Sequence, residues 1–128
     1  MKQPSILIVD DDQDVVSVLS MRCQAMGWKT HCCTSMGQAY QALLCNPSDV
    51  VILDQQLPDG TGLELSQLIR DTDDLNGIPV ILLTGQRDYQ IMQACHDQCA
   101  YYVLKNSEIW QRIEPLLMDL LANQLIHR

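Results

Sequence analysis

Apolar residues fall into two alternating patterns along this chain. Four short runs are apolar without interruption and mostly β-branched or aliphatic: Ile6–Val9, Val50–Leu53, Val80–Leu83 and Tyr101–Leu104. Runs of this length predict strands buried on both faces. Between them, apolar positions recur near a 3.6-residue period. Val15, Val16, Val18, Leu19 and Met26 predict a helix at about 13–26, and Ala39, Tyr40, Leu43 and Leu44 a second. Leu63, Leu65, Leu68 and Ile69 predict a third, with further helices at about 87–97 and 107–125. Residues 28–33 alternate weakly and predict one more strand.

The punctuation agrees. Gly27 stands where a helix end needs a left-handed residue, and Ser35 where the next helix needs a cap. The second helix must stop before Asn46-Pro47. Asn76-Gly77 marks a turn, and Pro79 opens the strand after it. Five strands alternating with five helices predict a parallel sheet with helices on both faces and right-handed crossovers. Pro115 conflicts with this pattern. It falls inside the fifth helix and removes the donor for the Gln111 carbonyl. Either that helix kinks there, or Pro115 begins its longer piece.

A chain of 128 residues fits one domain, and 47% hydrophobic residues suffice for a core. The formal net charge of -8 disfavours direct binding to nucleic acid or anionic membranes. No apolar stretch is long enough to span a bilayer, and aspartates interrupt the N-terminal run too early for a secretory signal, so a cytoplasmic location is expected. The six cysteines then read as free thiols rather than a disulfide framework. Cys32 and Cys33 should point to opposite faces of a strand. Cys95 and Cys99 flank His96 without a second ligand pair, which argues against zinc. His31, His96 and His127 show no catalytic spacing.

The chemistry sits at the strand ends. Asp10 and Asp11 close the first predicted strand, Asp54 the third, Thr84 the fourth, and Lys105 follows the fifth. Polar residues at one end of several buried strands predict one rim of one sheet, where open α/β sheets bind ligands. Asp12 reads as a helix cap. Asp59-Gly60 and Gly62 provide a sharp turn beside Asp54, and Gly85 leaves room next to Thr84.

The ordered set I-L-I-V-D-D-D, V-V-I-L-D-x-x-L-P-D-G-x-G-L-E-L, V-I-L-L-T-G and Y-Y-V-L-K resembles the receiver domain of two-component response regulators over almost the whole chain. The resemblance implies a flavodoxin-like α/β fold, a five-stranded parallel sheet in the order 2-1-3-4-5. It implies that Asp54 accepts a phosphoryl group from a histidine kinase or phosphotransfer protein. It implies that Asp10, Asp11, Asp54 and the backbone carbonyl of Gln56 hold Mg²⁺, and that Thr84 and Lys105 stabilise the phosphoryl group. It implies that Tyr102 is the switch aromatic paired with Thr84. The implied output partner binds the face of helix four, strand five and helix five, and homodimers are a further implied assembly. Receivers typically carry proline after the lysine, joined by a cis bond. Here Asn106 follows, and a cis bond before it would cost roughly 2.5–4 kcal/mol.

These residue types suit that chemistry. Carboxylates about 4 Å apart repel by on the order of 4 kcal/mol per pair at an effective dielectric near 20. A hard divalent cation relieves this, and charge on a transferring phosphoryl group is met by a cation, an ammonium and a hydroxyl. Added phosphate charge then offers a switch: Thr84 moves to bond it, and Tyr102 turns inward. Two other functions compete. A pseudo-receiver would bind partners without phosphorylation. A haloacid-dehalogenase-like phosphohydrolase would also use an aspartate nucleophile, but it wants a second aspartate where Gln56 stands. Flavin binding is disfavoured by the acidic loop after the first strand. On the fifth helix, Leu117, Leu121 and Leu125 read either as core or as a partner stripe.

Overall fold

Five parallel strands build the sheet in a computed structural model that describes residues 3–98 and 100–126 and, beyond Asn123, the backbone alone. They are β1 (Ser5–Val9), β2 (Lys29–Cys33), β3 (Val50–Asp54), β4 (Val80–Thr84) and β5 (Tyr101–Leu104), in the order β2-β1-β3-β4-β5. The helices are α1 (Gln13–Ala25), α2 (Met36–Cys45), α3 (Gly62–Asp71), α4 (Tyr89–Asp97) and α5 (Ile109–Ile126). This is the expected flavodoxin-like arrangement. One addition was not foreseen: Gln56–Leu57 and Gly60–Thr61 pair antiparallel in the loop after β3, apart from the main sheet.

The alternation of side chains explains why the interiors of β1, β3 and β4 carry no polar positions. Ile6, Ile8, Val50, Ile52, Ile81 and Leu83 point to one face and pack with Val16, Leu19 and Cys23 of α1 and Ile113 and Leu117 of α5. Leu7, Val9, Val51, Leu53, Val80 and Leu82 point to the other, toward Ala39 and Leu43 of α2, Leu65 and Ile69 of α3 and Cys95 of α4. A two-residue period thus feeds two cores.

Helix ends follow the local signals. Asp12, Ser35, Thr61 and Asp88 each cap a helix with a side-chain oxygen. Gly27, at φ 84°, ends α1 with the Gly27 amide donating to Gln24 and the Trp28 amide to Cys23, the paired bonds of a left-handed helix stop. Pro115 does not begin a helix. It lies inside continuous α5, exposed, so water can reach the Gln111 carbonyl it deprives. Leu117 and Leu121 are buried, which settles that part of the stripe as core; the side chain of Leu125 lies outside the described residues. Cys32 is exposed and Cys33 buried, as opposite faces require; the described cysteines are free thiols. Burial pushes the Cys23 thiol up to about 12 and that of Cys95 to about 11. His31 and His96 are exposed, while Cys99 and His127 lie outside the described residues. Among the described residues, no helix is long and apolar enough to cross a membrane.

Candidate functional site

Sheet register brings the polar strand ends together. Val9 lies beside Leu53, Asp54 beside Leu83, and Thr84 beside Leu104. The ladder runs one step further. The Asp10 amide donates to Cys33 O (3.0 Å), the Gln55 amide to Leu83 O (2.9 Å) and the Lys105 amide to Thr84 O (2.8 Å). Backbone bonds therefore fix where Asp10, Asp54, Thr84 and Lys105 leave the core.

Lys105 joins the site across the sheet. Its Nζ lies 2.9 Å from Asp10 Oδ2 and 3.2 Å from Asp54 Oδ2. Asp10 is fully buried and Asp54 nearly so, while Asp11 is exposed. Carboxylate oxygens of Asp10, Asp11 and Asp54 all lie within 4.8 Å of one another. Asp10 Oδ1 accepts the Asp12 amide at 2.9 Å. Asp10 Oδ2 has the ammonium nearby but no donor aimed at it in hydrogen-bonding geometry.

The electrostatics follow from this crowding. Burial, aided by the Asp10 charge, raises the Asp54 carboxyl above its ordinary range, while Lys105 and the Gln56 amide pull against the rise. Burial alone would favour neutral Lys105. The two aspartates outweigh it and hold the ammonium charged over a wider pH range than usual. One ammonium cannot balance three carboxylates. The excess negative charge, the all-oxygen donor set and the unaimed Asp10 lone pair fit a hard divalent cation.

A cleft of about 420 Å³ opens over Asp54. It is lined by Gln55, Gln56, Thr84, Gln86, Asp88 and Lys105, among others. Asp54, Gln56, Thr84 and Lys105 thus share one opening, as the strand ends suggested. The Lys105–Asn106 bond is trans, since the described residues contain no cis peptide, and the lysine still reaches both aspartates. Asn106 has a local task of its own: its Oδ1 accepts the Glu108 amide (2.9 Å) in the turn that leads into α5.

Thr84 is engaged within the β4–α4 loop. Its hydroxyl donates to Gln86 O at 2.5 Å, and both residues line the cleft. Tyr102, half-buried, donates from its hydroxyl to the same carbonyl at 2.8 Å and lies 3.2 Å from Thr84 Oγ1. It also accepts the amide of Asp88, the residue that caps α4, at 3.3 Å. The Tyr102 and Thr84 hydroxyls thus lie in contact beside the cleft.

Three features escaped the sequence reading. Gln55 clamps the start of α3, with its Oε1 accepting the Leu63 amide (3.0 Å) and its carbonyl the Gly62 amide (2.9 Å). Gly62 is required for space: a Cβ there would lie 2.6 Å from Asp54 O. Asp59 bonds α2 through Met36 and Gly37. The P-D-G turn was visible, but nothing near it signals a contact more than twenty positions away.

Known proteins resemble this chain in sequence and fold. A sequence model of the response regulator receiver domain family matches residues 6–114. The transcriptional regulatory protein GltR of Pseudomonas aeruginosa is 34% identical over 66% of this chain and 35% of its own length. The polar-differentiation response regulator DivK of Brucella anthropi is 30% identical over 63% of this chain and 66% of its own. A solved structure from Chloroflexus aurantiacus superposes with a TM-score of 0.87 at 29% identity, covering 94% of this chain and 99% of that one. The chain spans about a third of the length of GltR.

Proposed function

Because the chain belongs to the response regulator receiver domain family, whose members act in phosphorylation-based signalling, we propose that Asp54 is its phosphoacceptor. The supporting observation is the placement of a buried carboxylate 3.2 Å from a charged lysine at the mouth of a cleft, beside two further aspartates. An Asp54 oxygen would attack the phosphorus of a phosphohistidine on a kinase or phosphotransfer protein. The P–N bond breaks, its electrons return to the imidazole, and an acyl phosphate forms.

Asp10, Asp11, Asp54 and Gln56 would hold Mg²⁺, which when bound supplies positive charge to the phosphoryl oxygens. Lys105 would exchange its Asp54 contact for a phosphoryl oxygen while remaining against Asp10. Thr84 would leave Gln86 O for another phosphoryl oxygen. Tyr102 shares that carbonyl and touches the α4 N-terminus, so the exchange reaches the face of α4, β5 and α5. On that face Arg87, Met92, Tyr102 and Arg112 line a second cleft of about 250 Å³. There an output protein, an output domain or a second copy would bind. The switch would also assist its own phosphorylation and dephosphorylation in the cytoplasm.

The test is incubation with acetyl phosphate and Mg²⁺, read by intact mass. A labile phosphate adduct absent from Asp54→Asn supports the assignment. No adduct from acetyl phosphate or a partner kinase would favour a pseudo-receiver. Turnover of a small phosphate ester would favour a phosphohydrolase.

A further inference from the structure

The loop after β3 is held at two places, and only its base belongs to the site already described. At the base, Gln55 receives the Gly62 and Leu63 amides. At the tip, Asp59 reaches a different element. Its Oδ1 accepts the Met36 amide at 2.8 Å and its Oδ2 the Gly37 amide at 2.9 Å. A turn aspartate ordinarily bonds its own backbone two residues on. This one bonds the first turn of α2.

The bonds complete a helix cap. The first amides of a helix have no partner within it. In α2, Ser35 Oγ takes the Gln38 amide, and Ser35 O takes that of Ala39. Met36 and Gly37 depend on Asp59. The helix dipole favours the carboxylate there. Packing adds to the tether: a Cβ on Gly60 would lie 3.1 Å from Met36 Sδ, so a bare glycine lets α2 close on the loop.

Gln56 lies between these anchors. It pairs with Thr61 in the two-residue ladder and lines the cleft over Asp54. With the base fixed to α3 and the tip to α2, the short ladder has little freedom to pivot. We propose that Asp59 is a positioning residue: by pinning the loop to α2 it fixes Gln56 over the metal and phosphoryl site. This inference rests on the Mg²⁺-dependent phosphoacceptor reading above.

The experiment uses the whole chain as wild type, Asp59→Ala, Asp59→Asn and Tyr40→Phe. Tyr40→Phe is the structural control, since it removes the Tyr40–Thr72 hydroxyl contact (2.9 Å) that joins α2 to the end of α3. Mg²⁺ affinity is measured by titration calorimetry, amide exchange at Met36 and Gly37 by NMR, and acetyl-phosphate phosphorylation across Mg²⁺ concentrations. Asp59→Ala should free both amides and weaken Mg²⁺ roughly tenfold, the low end for groups that orient metal ligands. Asp59→Asn, which keeps one acceptor, should fall between. Saturating Mg²⁺ should restore the phosphorylation rate, and Tyr40→Phe should bind Mg²⁺ like wild type. Should Asp59→Ala not fold, Asp59→Asn decides. Freed amides with unchanged Mg²⁺ affinity would overturn the proposal, as would equal weakening by Tyr40→Phe. If wild type neither binds Mg²⁺ nor gains phosphate, the phosphoacceptor reading itself fails and takes this inference with it.

Discussion

Replacing Lys105 by methionine should turn the carboxylate cluster from a compensated site into a repulsive one. The ammonium lies 2.9 Å from Asp10 and 3.2 Å from Asp54. At about 3 Å and an effective dielectric near 20, each attraction is on the order of 5 kcal/mol before desolvation is subtracted. Losing one partner of a buried pair typically costs about 3–5 kcal/mol. Lys105 keeps 18% of its side chain in water, so a net loss of about 2–3 kcal/mol is expected at neutral pH.

The pH dependence separates charge from packing. Asp54 already has a raised carboxyl pKa in the folded chain, from burial first and the Asp10 charge second. A raised folded pKa means that acid stabilises: the contribution is full below the unfolded value and is lost as pH rises through the folded one. Without Lys105 the rise is larger. Urea unfolding of Lys105→Met should therefore show its greatest deficit near neutrality, shrinking as the pH falls through the Asp54 transition. Millimolar Mg²⁺ should also shrink it, because a ligand of the folded state alone stabilises by mass action. A deficit of the same size at all pH values, untouched by Mg²⁺, would show that only the aliphatic stem matters and refute the electrostatic account.

Other expectations are more local. Gly62→Ala would set a methyl 2.6 Å from Asp54 O and should cost about 1–3 kcal/mol in chemical denaturation; an unchanged midpoint would contradict the close approach. Pro115→Ala restores the donor for Gln111 at an exposed position of α5 and should stabilise by about 1–2 kcal/mol after the unfolded chain regains freedom, seen as a higher melting temperature. Tyr102→Phe loses the bonds to Gln86 O and from the Asp88 amide. Amide exchange at Asp88 should quicken, and exchange equal to wild type would remove the tyrosine from the path between Thr84 and α4.

The layers were legible because the physics there is local, whereas the strand order followed only from the resemblance to receiver domains. Three of the four apolar runs became strands buried on both faces and supply most of both cores, while the edge strand β5 leaves Tyr101 exposed. Gly27, Ser35 and Asp12 end or start helices by bonds to residues beside them. The polar strand ends were equally plain, since parallel strands ending together must present them on one rim. Asp10, Asp54, Thr84 and Lys105 are there.

Tertiary structure decided what those groups do to one another. Lys105 reaches Asp10 across 95 positions of sequence, and that pairing exists only when the sheet has assembled. The Thr84 and Tyr102 hydroxyls share the Gln86 carbonyl in the β4–α4 loop, a meeting of three residues that propensity cannot reveal. Asp59 and Gln55 carry ordinary turn chemistry in sequence, yet in space they fasten one loop to two helices. Hydrogen bonds act over about 3 Å, whatever the separation along the chain. A sequence therefore announces which groups stand at the rim, and folding alone chooses their partners.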